Sequence, residues 1–516
     1  MSRTRILAGA VAVVAAALLV AVGRGSAGAP DRPGPVAAPA APAGPAADPR
    51  GIVVLCLDTL RADALALDTG RAVRMPRLEA FAGESVAFAD AVAPAAWTGP
   101  SITSLLTGLD PSHTGVLGLP ERVGEPPSDV VAVASRLVAA GWDAAAVTTG
   151  GFVDPKSRVM RGFRETTVGL DQDPAAVIAG WDRRRPKGVP FFLFLHSLAA
   201  HDPYLDKDAR AGRPADTHGF DAARAQAIRA VLADRPETLP EAEVRWLVET
   251  AIRSAVTRSL LTASLGRATA DRAQGAITRW LDDASERDPT LGALGERLHA
   301  AYLEGLAYVD RLVGRILDAL EALRLPEGTA VFVVADHGET FGERGTLLHG
   351  RRLFDELVRV PLLVRVPKRL GAPRVVRGSA GLVDVVPTVL ELAGLPVPAG
   401  LDGISLVAAL ADGGGLPDRA MRAFEERRRH EHGVERIERL ESIRTPRAKC
   451  IVRRDPATRR VLGAEVYDLL VDPLERAGIP LERVERPCEF GDAFARALEA
   501  AGFDVPCLQA SVPAVR

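Results

Sequence analysis

Two apolar runs far apart in the chain each end in an aspartate: GIVVLCLD, from Gly51 to Asp58, and VFVVAD, from Val331 to Asp336. Continuous apolar runs of this length suit strands buried on both faces of a parallel sheet. In an open α/β sheet, ligands gather beyond the carboxyl ends of the strands, where both aspartates are expected. Further strand candidates are AAAVT (Ala144–Thr148), VPFFLFL (Val189–Leu195) and PLLVRV (Pro361–Val366). Helical patterns at Arg77–Phe88, Val130–Ala139 and Leu298–Leu323 separate them. Strands alternating with helices predict an α/β fold built on one large sheet.

Around this frame the chain changes character. Arg3 and Arg5 precede an uninterrupted apolar or glycine run from Ile6 to Gly23, so residues 1–25 are expected to form a signal peptide or a membrane anchor. Ser26-Ala27-Gly28 offers a cleavage site, and cleavage and tethering through residues 6–23 both stay open. Either way the remainder is expected to be exported, to the periplasm, the outside or the outer face of the cytoplasmic membrane. Residues 26–50, mostly Ala, Pro and Gly, read as a flexible linker. A catalytic domain is expected over 51–406, interrupted by an Ala-, Arg- and Leu-rich helical insertion at about 222–297. A smaller C-terminal subdomain is expected over 407–516, with a charged helix from Pro417 to Leu440 and strands at Lys449–Arg454 and Ala464–Leu469.

A formal net charge of -2 argues against nucleic acid as the main partner. The runs Arg183-Arg184-Arg185 and Arg427-Arg428-Arg429 read as solvated faces. Cys56, inside a strand candidate, is expected to be a buried thiol, whereas Cys450, Cys488 and Cys507 allow one disulfide with one residue left over.

The chemistry concentrates at a few positions. Two strand-end carboxylates, Asp58 and Asp336, with the His337 imidazole can hold a divalent cation through oxygen and nitrogen. Thr98, in WTGPSITSLLTG, stands at a helix start beside Pro100 and Ser101. Its hydroxyl is either a helix cap or a nucleophile activated by unpaired backbone donors and a nearby cation. In LHSLAAHDPY, His201 is the candidate donor to an ester oxygen, while His196 is expected to support the loop. His349 offers a further donor, His113 is expected to be structural, and His430 and His432 match no metal motif. Arg61 is expected to pair with a buried acid or to approach substrate, with Asp63 ordering the loop behind Asp58 and Tyr204 a pocket wall.

With LDTLRAD (Leu57–Asp63), TGPSITSLLTG (Thr98–Gly108), HDPY (His201–Tyr204), YVD (Tyr308–Asp310), DHGETFGERG (Asp336–Gly345), DELVRVP from Asp355 and GLVDVVPT (Gly381–Thr388) in this order, the chain resembles the sulfatase branch of the alkaline-phosphatase superfamily. The likeness runs from about Gly51 to Leu406, with a looser echo in EVYDLLVDPLE (Glu465–Glu475). It implies an alkaline-phosphatase-like sandwich: a large central mixed, mostly parallel sheet flanked by helices, plus a smaller C-terminal subdomain. It further implies Asp58, Asp336 and His337 as ligands of one divalent ion (calcium, magnesium or manganese). Thr98 would be the nucleophile, also close to that ion, and His201 and His349 would contact the transferred oxyanion.

Two departures shape the expected reaction. Sulfatases of this kind carry Cys-x-Pro-Ser-Arg, where this chain has TGPSI, from Thr98 to Ile102. Formylglycine forms from Cys or Ser, so none is expected at Thr98, and Ile102 replaces the usual positive side chain. Thr59 stands where many sulfatases have a second aspartate, and His337 replaces a common asparagine. The Asp58/Thr98/Asp336/His337 set resembles phosphoryl-transferring relatives, in which an unmodified threonine takes the group. The expectation is therefore a metal-dependent hydrolase of phosphomonoesters, phosphodiesters or phosphonate esters, acting on a small or a lipid- or glycan-linked ester. Alternatives are a sulfuric ester hydrolase, a phosphoglycerol- or phosphoethanolamine-type transferase, and a noncatalytic binding protein.

Overall fold

The computed structural model describes residues 50–509, apart from 66–73, 118–123, 150–152, 154–156, 202–203, 205–288, 326–327, 368–370, 412–413 and 432–433. The leader or anchor, nearly all of the linker and most of the helical insertion expected from the sequence fall outside the described residues.

The strands in chain order are β1 (Gly51–Leu57), β2 (Val86–Val92), β3 (Asp143–Thr148), β4 (Glu165–Val168), β5 (Phe191–Ser197), β6 (Ala330–Val334), β7 (Thr340–Phe341), β8 (Leu347–Leu348), β9 (Leu362–Arg365) and β10 (Arg374–Gly381). Eight of them form one sheet in the order β10-β2-β9-β6-β1-β5-β3-β4. Every pairing is parallel except the two made by β9, so the sheet is mixed and mostly parallel. β1 lies between β5 and β6, and every residue of β1, β5 and β6 is buried. Burial on both faces explains why these segments read as unbroken apolar runs rather than as alternating ones.

Helices α1 (Pro76–Gly83), α2 (Thr98–Thr107), α3 (Pro111–Thr114), α4 (Val133–Ala139), α5 (Pro174–Arg184) and α6 (Pro289–Ala322) pack about the sheet. The helix expected over Arg77–Phe88 is shorter: α1 stops at Gly83 and Val86–Val92 is strand β2. The apolar residues of VAFADAV pair with strands on both sides, and this tertiary pairing overrides the local pattern. The helix expected from Leu298 begins at Pro289, within the stretch read as an insertion.

The charged stretch Pro417–Leu440 is not helical. It contains β11 (Met421–Glu431) and most of β12 (Val434–Arg444), followed by β13 (Ala448–Arg454), β14 (Val461–Asp468) and β15 (Ile479–Pro480) in one five-stranded antiparallel sheet. Glu and Arg favour helices locally, but here they pair across strands. Arg427 faces Glu438 at 2.8 Å and Glu426 faces Arg439 at 2.7 Å, each pair directly opposite in register. Arg427, read as part of a solvated run, is buried. A separate apolar cluster including Ile443, Val452, Val466, Phe494 and Leu498 supports this sheet. Cys488 and Cys507 form the disulfide, leaving Cys450 and Cys56 as buried thiols.

At the corner after α2, Asp402 accepts from the Asp110 backbone N–H at 2.8 Å and lies 2.7 Å from His113 Nδ1. His113 is thus structural. Burial, with the Asp402 charge beside it, raises the Asp110 carboxyl to about 7, and its bond to Asp402 raises His113. Arg422 and Glu441 also face this corner. Both raised groups hold protons more tightly folded than unfolded. What these two groups contribute to stability is therefore fully present at acid pH, falls from near pH 4 to near pH 7 through Asp110, and falls further above pH 6.5 through His113. Asp110→Asn is expected to flatten the first part of this decline and to raise the melting temperature at pH 8, measured by calorimetry across pH.

Candidate functional site

The site assembles where the central strands end. Asp58 follows β1, and its backbone N–H donates to Ser197 O of β5 at 3.0 Å. Asp336 and His337 follow β6, the neighbour of β1 on the other side. All three side chains are fully buried, and one donor atom from each lies within 4.8 Å of the others. Among the described residues, this is the one group of metal-ligand type with that convergence.

Thr98 joins the group from α2. The residue before it, Trp97, is extended and makes no side-chain cap bond. The Thr98 hydroxyl is instead 3.3 Å from Asp58 Oδ2 and 3.3 Å from His337 Nε2. Of the two sequence readings, the capping one fails on geometry. Ser101 Oγ donates to Asp336 O at 2.6 Å, stapling the first turn of α2 to the loop after β6. His337 Nδ1 is 2.9 Å from Gly338 O, which leaves Nε2 facing the carboxylates, 3.6 Å from Asp58 Oδ1 and 3.5 Å from Asp336 Oδ2. A Cβ on Gly338 would meet Glu356 O at 2.0 Å, so only glycine lets this loop pair with Glu356 and Leu357.

The electrostatics fit a cation. Asp58 Oδ1 and Asp336 Oδ2 are buried without a hydrogen-bond partner, an arrangement that costs stability unless something positive meets them. Burial alone would raise the Asp58 carboxyl, and His201, His196 and His337 more than offset this, holding it below the usual carboxylate range. Burial and the Asp58 charge raise Asp336. Two oxygens and one imidazole nitrogen are a donor set suited to a divalent ion.

His349 and His201 line the adjoining edge. The His349 ring lies 4.6 Å from that of His337 and 5.0 Å from that of His201. Arg61 is turned away, bonded to Asp63 at 2.7 Å, Glu343 at 2.8 Å and Glu339 O at 3.0 Å. Arg61 pairs with acids, but not with the buried one expected: Asp63 is exposed and Glu343 half-buried. Thr59 adopts a positive φ of 61°, its hydroxyl bonded to Asp58 O and its own carbonyl accepting from Tyr302 OH. Ile102 is buried in the core.

Sequence reasoning missed two residues. Glu339, fully buried, accepts from Tyr204 OH at 2.7 Å and contacts His349 Nδ1 at 3.2 Å, so it orients that imidazole. A question about what holds His349 would have pointed to the acid of DHGE. His196, expected to support the loop after a strand, lies within β5 itself, with Nε2 3.4 Å from Asp58 Oδ2.

Comparison with known proteins completes the picture. Residues 50–395 match the family model described as Sulfatase, and residues 342–485 match N-sulphoglucosamine sulphohydrolase, C-terminal. The steryl-sulfatase of Mus musculus is 38% identical over 133 residues, covering 23% of this chain and 21% of that protein. The N-acetylglucosamine-6-O-sulfatase of Bacteroides thetaiotaomicron is 34% identical over 116 residues, covering 22% and 21%. The chain thus spans about a fifth of the length of these relatives. A solved structure in complex with its substrate D-glucosamine-2-N,6-O-disulfate shares the fold, with a TM-score of 0.58, 21% identity and coverage of 88% of this chain and 96% of that one. The phosphonate monoester hydrolase of Agrobacterium radiobacter does so with a TM-score of 0.56, 20% identity and coverage of 90% and 95%.

Proposed function

The chain belongs to the sulfatase family of the alkaline-phosphatase superfamily, whose members are ester hydrolases, and from that premise we propose that it is a metal-dependent hydrolase transferring a phosphoryl group through Thr98. The observation that carries this reading is the Thr98 hydroxyl, 3.3 Å from both Asp58 and His337, on a residue that cannot become formylglycine. Asp58, Asp336 and His337 would hold the ion, which when bound lowers the pKa of the attacking hydroxyl and offsets charge on the transferred group.

The rest belongs to the chain's own residues. Thr98 gives its proton toward Asp58 Oδ2, and its Oγ forms a bond to phosphorus in line with the leaving oxygen. The ester P–O bond breaks, and His349 or His201 supplies the proton that the departing oxygen takes up. Glu339 keeps His349 oriented for this. Water then attacks phosphorus and gives a proton to the imidazole that served the leaving oxygen; the Thr98 Oγ–P bond breaks and Oγ takes back the proton held at Asp58, so the threonine is restored. Ile102 leaves that position neutral, so among the chain's own residues the His201 and His349 imidazoles carry the compensation for the oxyanion charge. The substrate class extends to phosphomonoesters, phosphodiesters and phosphonate esters, small or carried on a lipid or glycan. The apolar run from Ile6 to Gly23 and the Cys488–Cys507 disulfide support export to an oxidising compartment.

A sulfuric ester substrate is the second reading, favoured by the names of relatives such as the steryl- and choline-sulfatases. The two are separated by exposing the protein briefly to matched aryl phosphate, phosphodiester, phosphonate ester and sulfate, each alone, followed by acid quench and peptide mass spectrometry. A phosphate or phosphonate adduct on Thr98, with faster turnover of the ester that leaves it, is the expected result. An adduct from the sulfate ester only, with preferred turnover of that ester, would reverse the assignment.

A further inference from the structure

We propose that His196 is a positioning residue for the cation site: from the end of β5 it fixes the Asp58 carboxylate so that Asp58 Oδ1 faces Asp336 and His337. This rests on the metal-dependent reading above.

His196 stands in register with Cys56 of β1, two residues before Asp58. It is fully buried, and its Nε2 is 3.4 Å from Asp58 Oδ2, within reach of a hydrogen bond though longer than most. Nδ1 has no hydrogen-bond partner in the protein, and the Asp58 carboxylate is the one polar group that Nε2 faces among the described residues. A buried imidazole with one nitrogen unpaired and the other held only by a long contact is costly, so an apolar residue would serve packing alone better at this position. Its direction is what distinguishes it. β1 runs between β5 and β6, so His196 approaches Asp58 from one side while Asp336 approaches from the other.

The end of β5 is built to hold this ring still. His196 O accepts from Thr149 Oγ1 at 2.9 Å, and Thr149 Oγ1 accepts from the Leu198 N–H at 3.0 Å. Ser197 Oγ donates to Asp171 Oδ1 at 2.6 Å, while Ser197 O takes the Asp58 N–H. One strand end therefore constrains Asp58 through both its main chain and its side chain. Asp58 Oδ2 is drawn to His196 and Thr98, which leaves Oδ1 as the unpartnered atom beside His337. Residues that hydrogen-bond ligating carboxylates fix their orientation, and losing one costs about 10–100-fold in metal affinity.

The test is calorimetric titration of manganese or calcium into chelator-stripped full-length protein, comparing wild type with His196→Leu, His196→Gln and His196→Asn. The leucine variant is expected to bind the ion about 10–100-fold more weakly. Glutamine, whose amide N–H reaches as far as Nε2, is expected to restore most of the affinity. Asparagine, polar but shorter, is expected to stay weak, and this comparison decides the matter should the leucine variant fold poorly. Equal affinities for glutamine and asparagine, or a wild-type affinity in a folded leucine variant, overturn the role of His196 and leave the metal reading standing. Failure of the wild-type protein to bind any divalent ion overturns both.

Discussion

Thr98→Ala is expected to lower kcat/KM on the best ester by at least about 10³-fold, or ~4 kcal/mol of transition-state stabilisation. The change removes a hydroxyl that contacts both Asp58 and His337. Nothing else in α2 depends on that oxygen. The helix start uses no side-chain cap bond, Ser101 still staples the first turn to Asp336 O, and alanine is a better helix former than threonine. Circular dichroism and melting temperature should therefore stay near wild type while turnover collapses. Thr98→Ser, which keeps a hydroxyl at the same place, should retain far more activity than alanine. Wild-type turnover in the alanine variant would show that Thr98 is no nucleophile and that water attacks directly.

The second large effect is on stability. Lys449 of β13 is fully buried, 3.0 Å from Asp355 Oδ1 and 2.9 Å from Glu475 Oε1. Arg444 of β12 reaches the other oxygen of Asp355 at 2.8 Å, and the Asp355 N–H donates to Glu475 at 2.6 Å. Burial would raise the Asp355 carboxyl, and Arg444 and Lys449 more than reverse this, holding it below the usual range. Glu475 is raised by burial and by Asp355. Lys449→Ala leaves Glu475 buried without its cation and is expected to cost about 3–5 kcal/mol in urea unfolding. Lys449→Met with Glu475→Gln removes both charges and still accepts the Asp355 N–H, so it should recover most of that loss. No recovery in the double variant would mean that side-chain volume, rather than an unpaired carboxylate, sets the cost.

This network has functional reach. Asp355 opens the short helix Asp355–Val358, whose Glu356 and Leu357 carbonyls accept from the Glu339 and Gly338 N–H groups beside His337. The C-terminal sheet is thereby joined to the loop after β6. The segment leading into Thr98 is joined to the C-terminal sheet as well, through Phe424 N–H to Pro94 O at 2.8 Å.

Much of the site was legible before any coordinates. GIVVLCLD and the run ending at Asp336 declare buried strands with carboxylates at their ends, because unbroken apolar content admits few alternatives to the sheet centre. The motif order around Thr98, Asp336 and His349 pointed to the family, and the threonine is the reason no formylglycine is expected. Register was less legible. His196 and Glu339 drew no functional reading because their importance lies in where β5 and the loop after β6 stop relative to β1. The Met421–Arg444 hairpin was misread because Glu and Arg favour helices locally, whereas the cross-strand pairs that hold it appear only after the chain has folded back.

The amino-acid order alone determined which chemical groups this protein owns and which segments must be buried, since both follow from side-chain identity and short-range periodicity. Packing decided which groups meet. That Thr98 caps nothing and faces Asp58, that Cys488 rather than Cys450 bonds Cys507, and that Arg427 is interior are outcomes of long-range pairing. Contacts of that kind depend on strand register and sheet order, which no local stretch of sequence encodes.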